Sequence, residues 1–193
     1  MEFTDEQLSS LDIDWFFQIG DYPIHVASAG GNVPRIVKSS IEDSNALVKE
    51  VRQKRHDLYK PKEVIYNHEL KNILDFSESN VYEYERVLMA LRKDEDYVRE
   101  EIPDIYLKRF YIPPFSYYAL KGFISLDRNI DGENSNEYHW VAKPAVFHAL
   151  DYIPRRYVVP TGMGTQERIE ELLNGIENNN IDIVAFVDKL TER

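Results

Sequence analysis

The stretch IDWFFQIGDYPIHVAS, residues 13–28, decides the fold class of this chain. Two runs rich in aromatic and β-branched residues stand on either side of a Gly-Asp-Tyr-Pro turn at 20–23, and this arrangement predicts a β-hairpin. Trp15, Phe16 and Phe17 place apolar side chains on both faces of the first run. We therefore expect the first strand in the middle of a sheet or under a helix.

Blocks of helix and strand follow this N-terminal hairpin. Helical periodicity predicts helices between residues 40 and 109, including one over 63–76, and Pro113-Pro114 is expected to end this helical middle. A second hairpin is predicted over 117–142, and the C-terminus is helical again. Because strands and helices do not alternate as βαβ units, the sequence predicts an α+β fold with a mainly antiparallel sheet built from the two hairpins.

The length of 193 residues fits one α+β domain over 1–193, and a division into two subdomains near Pro113 is the alternative. Apolar residues make up 43% of the chain, enough for a packed core. The strongest periodic segments place seven residues in that core. They are Trp15, Phe17, Val26, Val87, Leu88, Phe123 and Trp140.

Charge and cysteine content exclude several classes of function. With 34 acidic against 23 basic residues the net charge is −11, which repels nucleic acid and anionic lipid. The chain has no cysteine, so thiol catalysis, zinc–thiolate sites and disulfides are excluded. No apolar run approaches the roughly 20 residues that span a bilayer, and the acidic N-terminus is unlike a signal peptide. We expect a cytoplasmic protein that binds neither membrane nor nucleic acid.

One acidic loop has the spacing of a calcium site. Residues 127–137 begin with oxygen-bearing side chains at positions 1, 3 and 5 and a glycine at position 6. The closing glutamate stands at position 11 instead of 12, and the flanking segments are predicted strands, so an exposed hairpin loop is the favoured interpretation. The candidate metal ligands are Asp127, Asn129, Asp131 and Glu137.

A second candidate site follows the first hairpin, where small residues and two glycines let a ligand approach the backbone. Its residues are His25, Ser28, Gly30 and Gly31, and His139 of the second hairpin would face them across a pocket. His25 and Ser28 lie three apart, so in a regular strand their side chains point to opposite faces. They are therefore expected to act in recognition or packing rather than as a catalytic pair.

The chain contains no Walker loop, no GxSxG and no HExxH motif, so the sequence names no catalytic residue and no cofactor. The favoured hypothesis is a non-catalytic protein–protein interaction module, such as an acidic inhibitor, an immunity-like protein or a regulatory binding protein. Its partner would be a protein, and the acidic charge favours a basic one. The aromatic run between Tyr106 and Tyr118 would form either a recognition surface or the passage from a helix into the sheet core. The alternatives are a small-molecule-binding domain or enzyme with a pocket between the two hairpins, and a homo-oligomeric structural protein.

Overall fold

A mixed β-sheet organises the chain. The computed structural model describes residues 2–54, 57–77, 80–91, 99–129, 136–159 and 165–191. Within these ranges the sheet has six strands in the order β3-β5-β4-β2-β1-β6. Their bounds are β1 Asp14–Ile19, β2 Tyr22–Ala27, β3 Val64–Tyr66, β4 Ile124–Arg128, β5 Tyr138–Pro144 and β6 Val158–Val159.

The N-terminal hairpin is confirmed, and the sheet is mixed rather than mainly antiparallel. Strands β1 and β2 pair antiparallel, as do β4 with β5 and β3 with β5. The two hairpins, however, join through a parallel β2–β4 pair, and β6 runs parallel to β1. The helical middle brings the chain back so that β4 begins beside β2 and runs in the same direction. The periodicity of the sequence within either hairpin does not reveal this parallel pairing.

Helices form the middle and the C-terminus of the chain, as the sequence predicted. Two predicted elements were wrong: residues 63–76 contain β3 and one short helical turn instead of a single helix, and a helix occupies the predicted start of the second hairpin, so that β4 begins at Ile124. The helices are α1 Asp5–Ser10, α2 Arg35–Lys38, α3 Ile41–Gln53, α4 Leu70–Ile73, α5 Val81–Leu91, α6 Ile102–Tyr106, α7 Ile112–Leu120, α8 Thr165–Glu177 and α9 Ile183–Thr191. Every described helix is too short or too polar to cross a membrane.

Pro113 and Pro114 lie in the first turn of α7 instead of ending the helical middle. A π-helical turn, Leu107–Tyr111, joins α6 to α7 without a break. A proline inside a regular helix lacks the N–H of the i to i−4 bond and clashes with the preceding turn. The wider π turn separates α6 from the two prolines, so they occupy positions where their missing N–H groups are tolerated.

The main core contains residues on one face of the sheet, among them Trp15, Phe17 and Val26, together with residues of α3, α8 and α9. Trp15, Phe17, Val26, Phe123 and Trp140 are all buried, which confirms those five core predictions. The side chains of the other two, Val87 and Leu88, lie outside the described part of the chain. A smaller cluster, which includes Ala27 and Phe115, packs α7 onto the opposite face of the sheet. Polar residues are found on this second face.

Candidate functional site

A cavity of about 660 Å³ lies between the sheet and the helical run from α6 to α7. Its lining combines two chemical groups of residues. The polar group is Asp12, Asp14, His25, Arg52 and Asp127, and the aromatic group is Tyr106, Phe110, Tyr111, Phe115, Tyr117 and Tyr118. The cavity spans β1, β2 and β4, and therefore lies where the two hairpins join.

Strand register brings the central polar residues into one row. Asp14 is opposite Ala27, Ala27 is opposite Asp127, and Asp127 is opposite His139. Residues in register across a sheet point to the same face, so the two carboxylates stand on adjacent sides of a small residue. With strands about 4.8 Å apart, their backbones are about 10 Å apart. Ala27 leaves the space between them open, and it forms the floor of the cavity.

Asp14 is a fully hydrogen-bonded anion. Its Oδ1 accepts from Nε2–H of His25 at 2.9 Å. Its Oδ2 accepts from the Tyr118 hydroxyl and from Nη2 of Arg52, each at 2.7 Å. Burial alone would raise the pKa of Asp14, but the hydrogen bonds from these three donors outweigh it and lower the pKa to about 2. Asp14 is therefore ionised at neutral pH.

His25 is neutral and buried beside Asp14. It is 1% exposed, and its ring stacks on Tyr118 with 3.8 Å between the centroids. Burial lowers its pKa, even though the hydrogen bond to Asp14 acts in the opposite direction. Because Nε2–H donates to Asp14, Nδ1 carries a lone pair, and it has no partner within the described residues. His25 therefore fixes the position of Asp14.

Asp127 contrasts with Asp14. Its Oδ1 accepts from the backbone N–H of Arg128 at 2.9 Å, and its Oδ2 lies 2.6 Å from the hydroxyl of Tyr111. No cation pairs with it among the residues that the structure describes. Burial raises its pKa to about 6 despite these hydrogen bonds, because a carboxylate in a poorly hydrated place is stabilised by protonation.

Asp127, Tyr111, His139 and Asn129 form a hydrogen-bonded chain. The Tyr111 hydroxyl also lies 2.9 Å from Nε2 of His139. Nδ1 of His139 lies 2.6 Å from Oδ1 of Asn129, whose amide nitrogen donates to the carbonyl of Asn179. That second bond fixes the amide orientation, so Nδ1 of His139 must carry the proton and donate to Asn129.

The protonation state of Asp127 decides how the Tyr111 hydroxyl is used, because its single proton cannot be donated to both Asp127 and His139. Burial lowers the pKa of His139 to about 4, so its Nε2 carries no proton at neutral pH. Above a pH of about 6, ionised Asp127 accepts the hydrogen bond from Tyr111. Below that pH, protonated Asp127 donates to Tyr111, and Tyr111 donates to His139.

The π turn places Tyr111 in this chain. A π turn contains one residue more than an α turn, which rotates the side chains beyond it by about 100° relative to those before it. Tyr111 is the last residue of the turn, and its ring packs between Tyr106 and Phe115. The hydroxyl is thereby directed at β4 and β5. Single-turn π segments occur frequently at functional sites.

Ser28, Gly30 and Gly31 do not belong to the described lining of the cavity, and they serve packing. Ser28 is fully buried, and its hydroxyl oxygen accepts from the backbone N–H of Ile13 at 2.8 Å. Gly30 has φ +72° and packs against α1, where a β-carbon would lie 2.9 Å from the carbonyl of Ser9. At Gly31 a β-carbon would lie 2.8 Å from the carbonyl oxygen of Ser28 and 3.0 Å from the side chain of Arg128. Of the five ligand-binding candidates, His25 lines the cavity and His139 reaches it through Tyr111.

The predicted metal ligands are separated by their surroundings. Asp127 faces the cavity, Asn129 bonds to His139 and Asn179, and Glu137 is exposed. Asp131 lies outside the described residues. Within the described ranges, no three His, Asp or Glu side chains are placed to hold a metal ion. Residues 130–135 lie outside the described ranges, so the exposed hairpin loop stays the prediction and calcium binding its alternative.

Sequence reasoning missed Asp14, Arg52, Tyr111 and Tyr118 as members of one site. Asp14 carried a signal, because it is an acid inside an otherwise apolar strand segment. The other three lie on α3, the π turn and α7, and no local spacing links them to β1. Comparisons with protein-family models, with curated proteins and with solved structures found no match to this chain.

Proposed function

We propose that this protein binds a small molecule in the cavity between the sheet and α7. The observation that carries the proposal is Asp127, a carboxyl group only 8% exposed that faces a cavity of about 660 Å³. A buried acid without a cation destabilises the fold at neutral pH. A ligand that meets the acid in the cavity would explain why the site is polar.

The aromatic lining supports the same conclusion. Small-molecule sites are concave and mostly apolar, with a few polar groups that fix the ligand's orientation. Here the rings between Tyr106 and Tyr118 supply the apolar wall, and the row from Asp14 to Asp127 supplies the polar groups. The aromatic run thus lies mostly inside the molecule, which favours the pocket hypothesis over an aromatic surface for a protein partner. Tyr117 is the most exposed of these rings at 37%.

Ligand-observed saturation-transfer NMR with a chemically diverse fragment library tests the proposal. Fragments should bind the native protein and lose binding in Ala27→Leu, because the added side chain occupies the floor between the two carboxylates. The far-ultraviolet circular dichroism of each variant would detect misfolding. If Ala27→Leu misfolds, the smaller change Ala27→Val takes its place. Ala149→Leu, the same change at an exposed residue lining a different cavity, should leave binding intact. Fragments that bind Ala27→Leu as well as the native protein would contradict the proposal.

A proton-transfer enzyme is the second candidate function. The favouring observation is the contrast in one cavity between Asp14, with a pKa of about 2, and Asp127, with a pKa of about 6. Two carboxyl groups whose environments separate their pKa values are the usual arrangement for a base and an acid. Fragments that bind should then be followed for chemical turnover. Any turnover should disappear in Asp127→Asn, which keeps the shape but cannot donate the same proton.

A further inference from the structure

We propose that the ligand of this cavity is a small organic cation that binds beside Asp127. This inference rests on the proposed binding function and adds to it the charge of the ligand. It is carried by two features of the site: the balance of charges and the aromatic wall.

The charge balance of the cavity favours a cation. Its lining contains the carboxyl groups of Asp12, Asp14 and Asp127 but only one guanidinium, that of Arg52. With all of them ionised the sum is −3 + 1 = −2, and His25 adds no charge because it is neutral. Arg52 already forms an ion pair with Asp14, with 2.7 Å between Nη2 and Oδ2. An anionic ligand would therefore meet uncompensated negative charge, whereas a cation would neutralise Asp127.

Aromatic rings form one wall of the cavity. Neighbouring rings along the helical run contact one another, with centroids 6.3 Å apart for Tyr106 and Tyr111 and 5.4 Å apart for Tyr111 and Phe115. Tyr118 extends the set beside His25. Organic cations bind over aromatic faces, most strongly where water is excluded. A carboxylate beside a group of aromatic rings is chemically matched to an ammonium ion and not to a neutral polar molecule.

Several other ionisable groups lie around Asp127, and some of them affect its pKa. Asp12 acts on it through space and favours the protonated form, while Tyr111 bonds to the ionised form and favours ionisation. His139 reaches it through Tyr111. The further groups around the cavity are Asp14 and His25 on the sheet, Arg52 on α3, Tyr106 on α6 and Tyr118 on α7. Within the described residues, no lysine faces the cavity to substitute for the ligand.

Isothermal titration calorimetry with choline and its neutral isostere 3,3-dimethylbutan-1-ol tests the inference. The alcohol should bind at least tenfold more weakly than choline at pH 7, because only the charged molecule is attracted by the ionised Asp127 carboxylate.

Two variants test whether Asp127 supplies the attraction. Asp127→Asn should weaken choline binding at least tenfold at pH 7, while binding of the alcohol changes little. Asp21→Asn, the same change at an exposed residue in the hairpin turn, should behave like the native protein. Retention of the native choline affinity in Asp127→Asn would overturn the proposal.

The comparison of choline with the neutral alcohol tests the charge of the ligand, and the fragment screen tests the binding function itself. If fragments bind in the cavity but choline binds no better than the alcohol, the cation inference is wrong and the binding function stands. If Ala27→Leu has no effect on the binding of any fragment, the proposed function fails and the inference fails with it.

Discussion

Asp14 and Asp127 stand in the same row of the sheet, two strands apart with Ala27 between them, and their carboxyl groups have opposite environments. Three donors hold Asp14 as an anion, while burial without a cation favours the protonated form of Asp127. The two residues share one face and one cavity, so exposure to the same solvent cannot explain the contrast. It arises from what each carboxylate touches, and it leads to opposite effects of pH on stability.

Asp127→Asn is expected to remove a loss of stability that the native protein suffers between pH 4 and pH 7. The pKa of Asp127 is about 6 in the folded state and 3.8 in its unperturbed state. Over this interval the folded state binds the proton more tightly, so its stability falls as pH rises, by about 3 kcal/mol in total. Urea unfolding of both proteins at several pH values should show this difference. Parallel curves for the two proteins would contradict the assignment.

Asp14→Asn should have the opposite dependence on pH. The pKa of Asp14 is lowered from 3.8 to about 2, with its side chain 18% exposed. Its contribution is therefore fully present above pH 4 and is lost as pH falls through about 2, with a size of about 2 kcal/mol. In urea unfolding the variant should be less stable at pH 7, and the deficit should shrink toward pH 2. A deficit that does not change with pH would show that packing, and not charge, is responsible.

Tyr111→Phe is expected to raise the pKa of Asp127 above its native value of about 6, because the hydroxyl no longer donates to the ionised carboxylate. It also leaves Nε2 of His139 without its partner, which should cost about 1–3 kcal/mol. Carbon-13 NMR of the side-chain carboxyl group and urea unfolding measure the two effects. Tyr22→Phe is the control, since its ring packs on Phe147 and no described group bonds to its hydroxyl. An unchanged Asp127 pKa in Tyr111→Phe would show that the hydroxyl does not act on the acid.

Two neighbouring residues in the loop after β2 should respond to substitution with opposite signs. Ala29 has φ +45°, a left-handed conformation that disfavours a side chain. Ala29→Gly should therefore increase the free energy of unfolding by a few tenths to about 1 kcal/mol. Gly30→Ala should decrease it by more than 1 kcal/mol, because φ is +72° and the new methyl group meets the Ser9 carbonyl at 2.9 Å. Thermal denaturation of the two variants checks the signs, and equal signs would contradict the loop geometry.

The sequence predicted those parts of the fold that local patterns determine. The first hairpin follows from residues 13–28 alone, and the buried tryptophans follow from their place on apolar faces. The parallel contact between β2 and β4 depends on the path of about a hundred intervening residues, which periodicity cannot give. The proline pair was misinterpreted, because the π turn that accommodates it has no recognisable sequence signal of its own.

The sequence pointed to single residues of the site but not to the way in which the fold brings them together. His25, His139 and Asp127 were all singled out, yet Asp127 was placed in an exposed hairpin loop, with a metal site as the alternative, and not in a buried cavity. Its burial depends on Tyr111, which lies 16 positions earlier and meets it only through the tertiary fold. A charged residue inside an apolar strand, such as Asp14, was the one local signal that could have pointed to the site.

The most direct test of this account is the titration of the Asp127 side-chain carboxyl carbon by NMR, with Asp127→Asn used to assign the signal, in the free protein and with saturating choline. The account predicts a pKa of about 6 in the free protein and a fall of about one unit or more when the cation is bound. A pKa near 4 in the free protein would mean that Asp127 is an ordinary solvated acid. A value near 6 that choline does not change would mean that the cavity does not receive the cation beside Asp127.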